Sequence, residues 1–407
     1  MKRLRRPFIL LVALSTLATL ELNAQRLGPA PKRPKPAAIA DTNDAQAYHD
    51  YGLMIFEEDP NASAAAFYWA ARINPNLAGA LYGLRSALIL SNKGTLATFL
   101  AGGRRRILSK ELRSLDSLYL RALMINPFLY TQLDRRILTH HIRTTAIQST
   151  RMKGGGEPNE RELNFLIESW LRDAGPEMRG WLAYSDGSFD RALDLYGDAL
   201  KQAKFKVGLR IERARIMAMR GNIADAIAEF YHSLEEMRRR DTRGLVVFYN
   251  SKAVLEHSIG TLLEQAGDPG AAREAYGRAL HEDSSYYPAH LRLALIAVDA
   301  KDSATAIREL ELTTQIAADE PYVRFVHGFA LAKFGRYPDA IVQLTKAVEL
   351  EPFYAQPYAL LAQLLEQNGD GPGALAAYNN FLTRASMRDP DRPEMTKRLG
   401  SLKKSMR

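Results

Sequence analysis

The 407-residue chain, 46% hydrophobic and 25% charged, has the make-up of a folded protein and the length for several domains or one extended array. It contains no cysteine, which excludes disulfides, thiolate metal sites, a cysteine nucleophile and a lipidated cysteine. Its net charge of +9 is unevenly spread: residues 1–40 set eight lysines and arginines against Glu21 alone, so the rest of the chain carries only +2, and the basicity does not argue for nucleic acid.

The first element is a basic cluster, Met1 to Arg6, followed by the apolar run Phe8–Leu20 and then Glu21-Leu22-Asn23-Ala24. That order reads as a signal peptide over 1–24, cleaved after Ala24, and so as an exported product, periplasmic or secreted. The alternative is an uncleaved inner-membrane anchor. A span needs about 20 apolar residues, whereas this run has 13 and ends at a glutamate. Residues 25–42 form a linker; its core, Gly28-Pro29-Ala30-Pro31-Lys32-Arg33-Pro34-Lys35-Pro36, is expected to stay extended and solvated as a spacer.

From 173 to 388 the sequence repeats with a period of 34, in windows 173–206, 207–240, 253–286, 287–320, 321–354 and 355–388, interrupted once by 241–252. The eighth position is always small: Gly180, Ala214, Gly260, Ala294, Gly328, Ala362. The twentieth is always alanine, and the twenty-fourth is bulky: Tyr196, Phe230, Tyr276, Leu310, Leu344, Tyr378. Small residues let two helices approach and the bulky one fills the space beside them. The fifteenth position is glycine except at Lys301, which predicts a left-handed helix end and a turn into the second helix of a hairpin.

This register resembles the tetratricopeptide repeat family, most closely in 321–354 with Gly328, Gly335, Tyr337, Ala340, Ala347 and Pro352. The resemblance implies an all-α fold, a right-handed superhelical solenoid of antiparallel helix pairs. It continues in degraded form upstream, where Phe67, Ala70 and Pro75, and again Tyr119, Ala122 and Pro127, take the family's later positions. Region 43–172 is therefore expected to be degenerate repeat-like helices with insertions, and 389–407, carrying Met395, Leu399 and Leu402, to be a capping helix.

No nucleotide-binding glycine pattern, His-Glu-x-x-His, calcium loop or nucleophile elbow occurs, so neither a catalytic residue nor a cofactor or metal is expected. His140-His141 are adjacent on a helical stretch and point apart, and His281, Glu282, Asp283 and His290 fall in a turn where polar residues are ordinary. The resemblance implies instead a concave face lined by positions two, five, nine, twelve and thirteen. Those positions supply a candidate peptide-binding groove of Trp181, Tyr184, Leu291, Leu295, Tyr322, Phe325, Phe329 and Lys333. Apolar residues on such helices can equally be core, covered by a neighbouring helix or by the N-terminal region. Position five is never lysine, so capture of a peptide's terminal carboxylate is not expected.

The sequence thus reads as an exported, non-catalytic scaffold for a protein or peptide partner, with no integral membrane span once the signal is removed. Two other readings stay open: an enzyme or carbohydrate-binding module in 84–172 with accessory repeats, and a membrane-tethered assembly factor with an uncleaved N-terminus.

Overall fold

The computed structural model describes residues 30–406 except 38, 102–108, 153–155, 157, 173–174, 205 and 241–250. The signal-like segment 1–24, the triplet Arg104–Arg106, and Leu245 to Tyr249 in the insertion lie outside the described residues.

Every regular element among the described residues is a helix. Upstream lie α1 (Ala45–Met54), α2 (Pro60–Ile73), α3 (Ala78–Ser91), α4 (Lys93–Ala101), α5 (Lys110–Ile125), α6 (Leu133–Met152) and α7 (Glu160–Arg172). The periodic half contributes six hairpins: α8 (Pro176–Ser185) with α9 (Phe189–Gln202), α10 (Val207–Met219) with α11 (Ile223–Arg240), and α12 (Lys252–Gln265) with α13 (Pro269–Glu282). They continue as α14 (Tyr287–Asp299) with α15 (Ser303–Ile316), α16 (Pro321–Lys333) with α17 (Tyr337–Leu350), and α18 (Gln356–Gln367) with α19 (Gly371–Arg384). The last helix, α20 (Arg392–Ser405), buries Met395, Leu399 and Leu402 against the final hairpin.

The turn chemistry is the same in all six hairpins. Gly187, Gly221, Gly267, Gly335 and Gly369 have φ between 75° and 81°, and Lys301 adopts the same left-handed conformation at φ 60°. After each, the next residue's N–H reaches back to a carbonyl of the last helical turn, as from Ser188 to Ala183 (2.9 Å) and Asp302 to Ala297 (2.8 Å). This closes the first helix and aims the chain into the second. Aspartates then cap several second helices: Asp268 accepts from the Ala271 N–H at 2.9 Å and Asp370 from that of Gly373 at 2.9 Å.

The small eighth positions are where helices touch. A methyl group on Gly260 would lie 2.5 Å from the fully buried Tyr276 ring, and one on Gly328 would lie 2.7 Å from Leu344. The degenerate region uses the same device. Phe67, fully buried, fills the notch between Gly52 and Gly83, with 2.4 Å between its ring and a methyl placed on Gly83. Arg85, 1% exposed, lies deeper in this region, held by Asp116 at 3.0 Å and Asp134 at 2.8 Å.

The N-terminal hairpins fold back along the periodic array in the opposite chain direction. Asp41 accepts from the Ser386 hydroxyl (2.8 Å) and the Met387 N–H (2.6 Å), while the Asn43 amide donates to the Thr383 carbonyl (2.8 Å). Arg72 pairs with Glu351 at 2.9 Å and Arg121 with Glu320 at 2.9 Å. Phe128 reaches Phe230, and Tyr130 packs edge-on against Tyr184 at 5.3 Å. Partner numbers fall steadily as N-terminal numbers rise.

One expectation needs correction. The proline-rich run is not a solvated spacer from Ala30 onward: the Arg33 guanidinium stacks on the Trp69 ring at 4.9 Å, and the Trp69 indole N–H donates to the Pro31 carbonyl at 3.1 Å. Extended proline-rich backbone has rigid rings and unpaired carbonyls, so an aromatic surface with a donor can hold it at little entropic cost.

Candidate functional site

The first helix of each hairpin presents the positions that the sequence marks as a groove. Their outermost residues divide into a covered part and an open part.

The covered part faces the turns that end α2 and α5. A cleft of about 390 Å³ lies there, lined by Met124 and Ile125 from the N-terminal region and by His257, Thr261, Glu264, Gln265 and Arg292 from α12 and α14. A second, smaller cavity of about 100 Å³ shares Met124, Ile125, His257 and Arg292 and extends to Pro75, Asn76, Arg121, Leu291, Leu295 and Tyr322. Leu291 is buried and Leu295 and Tyr322 half-buried here. Further along, Tyr184 is buried beneath Tyr130, and its hydroxyl accepts from the Thr131 N–H at 2.9 Å. Trp181 is half-buried in the same cluster.

The open part lies on α16. Phe329 is half-buried, and the exposed Lys333 ammonium sits over its ring at 5.1 Å. Phe325 differs from its neighbour: it packs edge-on against buried Tyr354 at 5.6 Å and joins the core clusters on both sides of α16. Of the eight sequence-derived groove residues only Lys333 is exposed; Phe329 is half-buried like Trp181, Leu295, Tyr322 and Phe325, but unlike them it joins none of the core clusters.

Sequence reasoning passed over His257, Thr261, Glu264 and Gln265, although they occupy positions five, nine, twelve and thirteen of window 253–286. Applying the positional rule to polar as well as apolar residues would have found them. Met124, Ile125 and Arg121 carry no such signal, because they enter the site from the other half of the chain.

Burial dominates the electrostatics. His257 is 2% exposed, neither ring nitrogen has a hydrogen-bond partner, and its ring packs against Tyr276 and Tyr286. Desolvation, helped by the nearby Arg292 charge, pushes its pKa down to about 3, so the imidazole is neutral. Arg292 itself is paired with Glu264. His327 is likewise pushed down to about 4 by burial and by Arg324 and Arg336.

Among the described residues no group of three or more histidines, aspartates or glutamates is placed to hold a metal. His290 is engaged by Glu309 at 2.6 Å and by the Ser284 carbonyl, whereas His281 is exposed. Two carboxylates do converge in the irregular upstream region, Asp116 and Asp134, but both are bonded to the Arg85 guanidinium. Among the described residues no helix is long and apolar enough to cross a membrane.

A tetratricopeptide repeat family profile matches residues 263–325, and a second matches 177–239 and 326–390. No curated protein matches the chain. Among solved structures, YrrB, described as a TPR protein with an unusual peptide-binding site, is similar at 17% identity, over 50% of this chain and 98% of that one, with a TM-score of 0.40. The C-terminal part of a TPR repeat-containing protein from Cytophaga hutchinsonii is similar at 15% identity over 50% and 77% of the two chains, TM-score 0.42. MamA is similar at 24% identity over 42% and 94%, TM-score 0.36. With profile matches over 177–239, 263–325 and 326–390, on hairpins of uniform turn and packing chemistry, the periodic half of this chain is built of tetratricopeptide repeats, which form a protein-interaction scaffold.

Proposed function

We propose that the protein is an exported, non-catalytic adaptor that holds an extended peptide or amphipathic helix of a partner protein on the open part of its first-helix face. The observation that carries this reading is the contrast along that face. Tyr184 and Leu291 are buried, while on α16 the exposed Lys333 lies over the half-buried Phe329 ring, an aromatic and a cation presented together. A half-exposed aromatic beside a charge suits recognition of a peptide with an apolar anchor next to an acidic residue. Export rests on the basic and apolar character of residues 1–24.

A photo-crosslinking amino acid at 329 tests the face, with one at Val342 on α17, 49% exposed, as control. Crosslinks to a common partner at 329 and none at 342 are expected. Equal labelling at both positions would remove the groove from the account. The mass of the mature N-terminus tests export: loss of residues 1–24 is expected, and retention of Met1 would support a tethered protein instead.

A further inference from the structure

The cluster around Arg33 has no part in the groove, yet it is built like a receptor. Three rings from two ends of the chain lie around the Arg33 guanidinium: Trp69 of α2 at 4.9 Å, Tyr48 of α1 at 5.4 Å, and Phe353 from the turn between α17 and α18 at 5.8 Å. The Glu351-paired Arg72 shares Trp69 at 5.6 Å and Phe353 at 4.8 Å. In this arrangement Tyr48 is fully buried and Trp69 is 7% exposed, and both rings belong to the core cluster of the upstream helices. Polar contacts read the backbone on either side. The Trp69 indole donates to the Pro31 carbonyl at 3.1 Å, the Tyr48 hydroxyl donates to the Pro34 carbonyl at 3.0 Å, and the Arg33 Nε–H donates to the Tyr48 hydroxyl at 3.2 Å. Arg33 also donates to the Thr42 carbonyl. Lys32 and Lys35, between and beyond these contacts, point to solvent.

We propose that the notch of Tyr48, Trp69 and Phe353 is a recognition site for an arginine flanked by prolines in extended conformation, filled in the isolated chain by Pro31 to Pro34 and open to the same chemistry on a partner protein. The selectivity follows from the contacts. A planar guanidinium stacks on several ring faces at once where an ammonium is a compact, hydrated charge. Extended proline-rich backbone makes no internal hydrogen bonds, so its carbonyls are available to the indole and phenol donors. The occupant is held by side-chain stacking and four hydrogen bonds that involve side chains, and its lysines stay in water, so its exchange breaks no hydrogen bond within a helix. The arm's short tether gives it an effective concentration on the order of millimolar, which a partner must exceed, for instance by binding a second surface as well.

The notch shares no residue with Phe329 and Lys333, so the groove reading and this one fail separately. The probe is a fluorescent peptide with the sequence of residues 28–36, tested on the full chain carrying Arg33→Ala and Pro34→Ala. The vacated notch should bind it at least tenfold more tightly than wild type, whose own arm competes. Replacing the peptide's arginine by lysine should weaken binding at least fivefold, and Trp69→Leu in the vacated chain should abolish it. Because the chain has no native cysteine, a second measurement places a fluorophore on Ala30→Cys in the otherwise wild-type protein. Excess unlabelled peptide should release that arm from quenching by Trp69, and an arginine-to-alanine peptide should not. Equal binding to wild type and the vacated chain, equal binding of the lysine peptide, or no displacement of the labelled arm would overturn the proposal. Wild-type dimers in sedimentation that dissociate on Arg33→Ala would assign the notch to a second copy's arm and overturn the partner reading.

Discussion

His257→Leu is a replacement of similar volume at a position where the imidazole makes no hydrogen bond, and it converts a hidden titration into a measurable slope. The folded-state pKa is about 3, against an ordinary value near 6.5 for the unfolded chain. As pH falls below 6.5 the unfolded state takes up a proton that the folded state refuses, so wild-type stability drops with acidification throughout the window from about 6.5 to 3. Each pH unit in that window costs about 1.4 kcal/mol, and the loss between pH 7 and pH 5 is about 2 kcal/mol. The leucine variant escapes this loss, while His327 and the carboxylates contribute equally to both proteins and cancel. Urea unfolding followed by circular dichroism at pH 7, 6 and 5 should therefore show the variant gaining about 2 kcal/mol relative to wild type across the range. Parallel stability curves for the two proteins would mean that His257 is protonated or hydrated in the fold, and the burial argument would fail.

Among the described residues Lys301 is the one non-glycine at a left-handed turn, so Lys301→Gly should stabilise by about 0.5–1 kcal/mol, the relieved strain exceeding glycine's extra entropy in the unfolded chain, as read by a rise in the urea midpoint. Removing the Arg85 guanidinium by Arg85→Met leaves Asp116 and Asp134 facing each other without their cation; a loss of about 3–5 kcal/mol is expected, seen as early melting of the upstream helices. Phe329→Glu should leave the circular dichroism spectrum unchanged, whereas Phe325→Glu, which puts a charge between two core clusters, should unfold the hairpins around α16.

The periodic half was legible because its interactions are local. The small residue at eight, alanine at twenty and the bulky residue at twenty-four meet within one window, and glycine at fifteen marks each turn, so a 34-residue comparison exposes them. Even the exception, Lys301, keeps the turn, because the flanking helices over-determine its backbone. The candidate groove was legible only as a list of helix positions. Which of them are covered depends on contacts such as Arg72 with Glu351 and Tyr130 with Tyr184, which join residues from opposite halves of the chain and leave no periodic trace. The proline-rich run misled for a related reason. Composition describes what Pro31 to Pro34 would do alone, but Trp69 and Phe353, far away in sequence, supply the surface that holds them.

The N-terminal hairpins lie back across the array and divide its first-helix face. The cysteine-free sequence allows a direct test with Asp41→Cys and Ser386→Cys, whose wild-type side-chain oxygens are 2.8 Å apart. Mild oxidation should form an intramolecular disulfide in the folded protein, detected by mass and by faster migration on a non-reducing gel. Two free thiols after oxidation, in a protein that retains its helical spectrum, would contradict the fold-back and with it the division of the groove.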